Sequence, residues 1–510
     1  MSDAGTPVPP NPPETHFSLK SLIRNYISMI GLALAAVSLA NIIFLFLVDV
    51  VSTQSSPYIG IFAYMVMPAI LVAGLMMALA GMWMERQRRR RHIASLPAFP
   101  VLDLNSATQR GTIAFFLSAV MIFVILTAVG SYRAYEFTDS VQFCGELCHT
   151  VMHPEFVAYQ GSPHARVACV DCHVGAGAGW YVRSKLSGAR QVFKTALNTY
   201  PRPIETPVAN LRPAPQTCGQ CHWPRKFWGA QLKVINHFAG DEQNTPRQLQ
   251  LLIKTGGGDP NLGQASGIHW HMNIANVVTY ASDPKRQNIP WVQIQDAKGV
   301  TTEYFATGAK SEEIAKMSRR RMDCVDCHNR PTHIYVAPDR SVDDALAAHQ
   351  IDQSLPYVKQ QAVQVLAGTY KTTPEAMQAI ANAIPAFYRE KYPQVAAAKQ
   401  GEIQATVATL QRIFRTTIFP EMKVDWRTHP NNIGHFYFQG CFRCHDGNHV
   451  SKDGKTISKD CNSCHTMLAQ QEGKESLMPT TAAVSFKHPV DLGDLTAVNC
   501  SDCHTGGVGP

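Results

Sequence analysis

Six pentads of the form C-x-x-C-H punctuate this chain of 510 residues: CVDCH from Cys169, CGQCH from Cys218, CVDCH from Cys324, CFRCH from Cys441, CNSCH from Cys461 and CSDCH from Cys500. A seventh stretch, FCGELCHTVMHPEF from Phe143, sets Cys144 and Cys148 one residue further apart before His149. Together these sites use all 14 cysteines and leave none for a disulfide. A lone C-x-x-C serves zinc or a redox dithiol, since both need two thiols on one short turn. Here a histidine follows the second cysteine every time. That order lets two thioethers hold a porphyrin edge while the adjacent imidazole binds its iron, so the pattern points to seven covalent haems of the c type. The attachment pairs are Cys144 and Cys148, Cys169 and Cys172, Cys218 and Cys221, Cys324 and Cys327, Cys441 and Cys444, Cys461 and Cys464, and Cys500 and Cys503. Their proximal ligands are His149, His173, His222, His328, His445, His465 and His504.

A low-spin electron carrier needs a second axial ligand on each iron. Beyond the proximal set, and His16 and His92 near the N-terminus, enough of the 20 histidines remain to cap every iron. Four stand a short stretch before a motif and are the expected distal ligands: His164, His435, His449 and His488. His153, His237, His269, His271, His333, His349 and His429 form the reserve. All seven motifs end in His, and distal candidates are in excess, so no iron need stay open for a substrate. This argues against a terminal reductase of the multihaem nitrite type.

Three apolar runs are long enough to cross a bilayer as helices of about 20 residues. They cover 26–48, 58–83 and 112–131, and Pro68 is an expected kink in the second. ERQRRRRH, from Glu85 to His92, follows the second run, whereas the connection from Asp49 to Pro57 has no Lys or Arg. The positive-inside rule then puts the arginines and the N-terminus in the cytoplasm, and everything after the third run outside. The net charge of +8 is mild and implies no nucleic-acid partner. Beyond the anchor of residues 1–131, the expected organisation is a four-haem domain over 132–335, a helical segment over 336–425 and a three-haem module over 426–510. Short β-type runs such as LQLLIKTGGG, ANVVTYAS and IPWVQIQ, between Leu249 and Phe305, predict a small sheet inside the first of these. YVKQQAVQVLAGTY and EIQATVATLQRIFRTTI repeat apolar residues at three and four spacing, as amphipathic helices do. The expected fold is mainly α with a haem-dominated core: three transmembrane helices, then a multihaem c-type cytochrome domain with a small β region.

The third apolar run followed by CGELCHTVMHPEFVAYQGSPHARVACVDCHVGAGAGWYVRSKLSGARQVF resembles the NapC/NirT family of membrane-anchored, quinol-oxidising cytochromes. The whole chain is similar to the seven-haem inner-membrane type found in metal-reducing bacteria. The resemblance implies a quinol dehydrogenase of the bacterial cytoplasmic membrane. Such a protein draws electrons from the membrane quinone pool, as menaquinol or ubiquinol, and passes them to periplasmic c-type cytochromes or reductases. It also implies that Met152 replaces His149 on the first iron, where a thioether raises the potential. Lys185, twelve residues after His173, matches a lysine the family places beside the quinol. Oxidising a quinol releases protons and calls for a base. Glu146, Glu155 and Asp171 are the candidate carboxylates, because the position of the family's acidic partner holds Val192. A relay without its own quinol site is the alternative reading.

Overall fold

The computed structural model describes residues 22–51, 66–91, 104–147, 149–175, 178–208, 211–223, 226–257, 266–272, 276–473, 483–493, 495 and 498–507. The chain divides into two units, Met1–Glu136 with Ala176–Lys185, and Phe137–Gly175 with Leu186–Pro510.

In the first unit, α1 (Tyr26–Val51) packs against α2 (Met67–Arg90). The facing residues are small: Ser28, Ala35 and Ser38 on α1, and Gly74, Ala78 and Gly81 on α2, all buried. Their spacing of three and four puts them on one face of each helix. A Cβ on Gly31 would stand 2.5 Å from the Ala78 nitrogen, and one on Gly74 would stand 2.8 Å from the Ala35 nitrogen. The two backbones therefore touch, which is how helices associate where lipid removes the hydrophobic drive. The Ser28 hydroxyl adds a bond of 3.1 Å to the Ala78 carbonyl. We expect Gly31→Val to part this pair and to lower the yield of haem-loaded protein extracted from membranes. Gly111→Val, where a Cβ meets nothing within 4 Å, should leave that yield unchanged.

Among the described residues two helical stretches, not the expected three, are long and apolar enough to cross a membrane: Tyr26–Ile43 and Met67–Arg90, with mean hydropathies of 2.0 and 1.9. The second run was expected from residue 58, but 52–65 lie outside the described residues. Pro68 falls in the first turn of α2 and makes no kink, because a first-turn N–H has no helical partner to lose. That helix also runs past residue 83 through the arginines, where Arg89 pairs with Glu85 at 2.6 Å. The third run lies within α3 (Ala107–Thr138), which at 32 residues outlasts its apolar centre. Its ends are polar, with Arg110 near the start and an Arg133–Glu136 pair near the finish.

The second unit holds α4 (His149–Gln160), and the helical segment expected after the fourth motif forms α6 (Pro338–Ala347), α7 (Val358–Leu366), α8 (Thr373–Lys391) and α9 (Gln400–Thr417), while α5 (Ala178–Ala196) spans the division between the units. Between α6 and α9 lies the main apolar core of the described residues, with Leu346, Leu355, Leu366, Ile380, Tyr388, Leu410 and Phe414 all buried. This is the segment expected to be helical, and its helices bury an ordinary side-chain interior. Beneath α6, Asp343 holds Lys359 at 2.6 Å, both almost fully buried. The same carboxylate accepts from the Phe238 N–H at 2.9 Å and from His237 Nδ1 at 2.8 Å.

The β structure exceeds the small insert read from 249–305. One antiparallel sheet has the order β1 (Gln231–Phe238), β2 (Pro246–Ile253), β8 (His465–Glu472). The other runs β6 (Ser318–Arg321), β3 (Val277–Ser282), β4 (Trp291–Gln295), β5 (Thr301–Ala306), β7 (His449–Ser451). Each sheet takes an edge strand from beyond residue 426, so strand pairing crosses the boundary expected there. β1 and β8 escaped the sequence reading because both are largely half-exposed and lack a clean apolar alternation.

Candidate haem-binding centres

Each C-x-x-C-H forms one tight turn. Motifs two, four and seven close it in the same way, through the aspartate before the second cysteine. Asp171 accepts from the Ala168 N–H at 3.1 Å, Asp326 from the Asp323 N–H at 2.8 Å, and Asp502 from the Asn499 N–H at 3.0 Å. Asp171 thus has a structural task as well as the proton-accepting one expected of it. Asp326 is buried and also takes Tyr280 Oη at 2.7 Å and Arg320 Nε at 2.9 Å. In motif five Arg443 fills the corresponding position. Its guanidinium donates to the carbonyls of Gly440, Arg286 and Asp326 at 2.8, 2.7 and 2.7 Å, which ties the turn of motif five to that of motif four.

The histidine rings supply the central geometry. Six motif histidines each face a second imidazole: His173 faces His333 with ring centres 6.4 Å apart, His222 faces His164 at 6.1 Å, and His328 faces His269 at 6.2 Å. His445 faces His271 at 5.8 Å, His465 faces His435 at 6.2 Å, and His504 faces His488 at 6.2 Å. A metal held between two imidazoles, about 2.0–2.1 Å from each nitrogen, separates the ring centres by roughly 6 Å. The residues present therefore fit an iron between each pair.

Of the four histidines expected as distal ligands, His164, His435 and His488 lie in such pairs. His449 does not. It is buried, with Nδ1 at 2.9 Å from Asp446 Oδ1 and Nε2 at 2.7 Å from the Ile289 carbonyl, so both ring nitrogens are taken. The ring facing His445 is His271, from the reserve, as are His269 and His333. Among the others, His237 bonds Asp343 and His429 bonds Thr206 Oγ1 at 3.2 Å. His153 packs edge-on against Phe419, and His349 is exposed.

The sites also follow one another in space. The Cys144 thiol is close enough to shift the pKa of Cys169, and that of Cys324 the pKa of Cys218. Cys172 feels Cys221, Cys327 feels Cys441, Cys464 feels Cys441, and Cys500 feels Cys461 electrostatically. Motifs one to seven thus line up in sequence order. None of the described cysteines is in a disulfide.

Around the first motif, Phe143–Leu147 forms a π-helical turn, a wider winding that takes up the extra residue between the cysteines. Cys148 lies outside the described residues, as does the side chain of His149, which begins α4. Met152 packs half-buried against the cluster of Val151, Tyr335 and Phe419. Glu155, one turn further along α4, accepts from Tyr335 Oη at 3.2 Å, and burial pushes its carboxyl above the usual range. Its backbone carbonyl lies 3.0 Å from His333 Nδ1. Lys185 lies on α5, and its side chain is outside the described residues.

Residues 106–206 match the NapC/NirT cytochrome c family, N-terminal region. Over 498 residues the chain is 47% identical to the cytochrome c-type protein ImcH of Geobacter sulfurreducens, an overlap of 95% of this chain and 97% of that protein. No solved structure matches it.

Proposed function

Because the chain belongs to the NapC/NirT cytochrome c family, whose cofactor is covalently bound haem c, we propose that it oxidises quinol at the inner membrane and relays the electrons through seven haems to periplasmic cytochromes or reductases. Bound haem c supplies one-electron transfer at each motif. The observation that carries the reading is the set of six facing imidazole pairs. A histidine on both faces leaves a small oxyanion no open position, so these residues build a conductor and not a reduction site.

In this reading the seven cysteine pairs anchor the haems, and the six histidine pairs cap motifs two to seven. At motif one Met152 takes the iron in place of His149, three residues along the same helix. Lys185 binds the quinol, and Glu155 and Asp171 are the carboxylates for its protons. α3 joins α1 and α2 as a third span, with the arginines of α2 in the cytoplasm. Few residues separate the end of α3 at Thr138 from Cys144, so motif one stays at the periplasmic membrane face and motif seven delivers electrons to a soluble partner.

The purified protein is expected to give seven haems per chain by pyridine haemochrome and to be reduced by a quinol analogue. Lys185→Ala should slow that reduction roughly 10²-fold, the usual worth of one proton-handling group, with the haem spectrum unchanged. Met152→Ala should alter one haem spectrum alone. Reduction at the wild-type rate in Lys185→Ala would move the quinol site elsewhere, and four or fewer haems would end the reading.

A further inference from the structure

The six histidine pairs differ in what holds the outer ring nitrogen. At motif five both Nδ1 atoms reach a backbone carbonyl, His271 to Ile268 at 2.8 Å and His445 to Ser458 at 2.9 Å. At motifs two, four and seven one ring of the pair does so: His333 to Glu155 at 3.0 Å, His269 to Thr255 at 2.9 Å and His488 to Val490 at 2.8 Å. At motif three His164 makes a longer approach, 3.4 Å, to Pro331. Motif six stands apart. The Nδ1 atoms of His435 and His465 are both buried, and neither has a hydrogen-bond partner among the described residues.

A carbonyl on Nδ1–H draws that proton outward and makes the imidazole a stronger donor to its metal. A stronger donor favours ferric iron and lowers the potential, while a pair lacking the bond does the reverse. Charge at motif six acts in the same sense. The Lys254 ammonium donates to the carbonyl of Asn462, between Cys461 and Cys464. Lys459 sits 5.6 Å from the ring of Phe442, which is itself stacked on His435 at 4.2 Å. The nearby carboxylate is Asp460, and one of its oxygens is committed to capping the turn through the Asn462 N–H at 3.0 Å.

We propose that His435, His465 and Lys254 make motif six the highest-potential of the six bis-histidine sites. The inference rests on reading these pairs as axial ligands. An electron arriving at motif six leaves its donor oxidised, takes no proton with it, and halts there until a partner collects it. The residues of motif six thus build a one-electron store near the outlet.

The test is a potentiometric titration of the full-length, haem-loaded protein, followed by electron paramagnetic resonance. In His435→Met one bis-histidine signal should disappear, and it should be the one that titrates highest in the wild type. In His271→Met a different, lower-titrating signal should disappear. Lys254→Gln should move the motif-six component down while Lys254→Arg holds it in place. Loss of a low-titrating signal in His435→Met, or an unmoved component in Lys254→Gln, overturns the proposal while leaving the pairing intact. If His435→Met removes no bis-histidine signal, the pairing itself fails and takes the proposal with it.

Discussion

Asp343→Ala is expected to destabilise the second unit by about 3–5 kcal/mol, the usual penalty for stranding one partner of a buried ion pair. Lys359 would be left 5% exposed with its ammonium facing the empty position. Burial already pulls the pKa of this amine down, and Asp343 is the main group opposing that. The substitution also takes the acceptor from the Phe238 N–H and from His237, so β1 loses its tie to α6. Denaturant unfolding followed by far-ultraviolet circular dichroism reads the loss. Adding Lys359→Met to Asp343→Ala should recover part of it, since an apolar side chain of similar length removes the stranded charge. A double variant as unstable as the single one would locate the damage in the sheet contacts instead.

Arg443→Ala is expected to do nearly as much harm by a different route. The carbonyls of Gly440 and Arg286 lose their donor at once, and that of Asp326 keeps only Asn432 Nδ2 at 3.1 Å. A buried acceptor left unpaired costs about 1–3 kcal/mol. Because two of the bonds reach distant segments, at Arg286 and Asp326, the turn from Cys441 to His445 should lose its set, and haem attachment there should fail. Pyridine haemochrome would then fall by one haem per chain, with unfolding moved to lower denaturant. Arg443→Lys should not rescue it, as one ammonium cannot span three carbonyls that a planar guanidinium reaches together. Full haem content with wild-type stability in Arg443→Ala would show that the turn closes without it.

Residue type and spacing alone single out the cysteines and motif histidines, and α6 to α9 were legible because apolar residues recur with the helical period. The choice of distal partner was not. His164 lies five residues before Cys169, and His435 six before Cys441, yet their rings face His222 and His465, each belonging to the following motif. The two axial positions of an iron lie on opposite faces of the porphyrin, and so short a segment cannot lead from one face round to the other. The next site along is the one within reach. His488, twelve residues ahead of Cys500, has chain enough and does face His504. His271 and His333 owe their places to tertiary packing that no local pattern announces. The aspartates that close motifs two, four and seven could have been noticed, since an Asp precedes the second cysteine in each.

β2 and β8 are far apart in the chain: Arg247 and Glu472, paired across them, are separated by 225 residues. If the chain takes the proposed route across the membrane from its N-terminus, β2 is presented long before its neighbour emerges. During that interval the inner edge of the sheet is open, and pairings so distant in sequence form slowly. The turns of the earlier motifs are then still accessible to whatever enzyme joins haem to thiol. On the proposed route, closure by β8, which begins at His465, follows the emergence of motifs one to five and precedes that of motif seven, so loading of those five motifs would precede locking of the sheet.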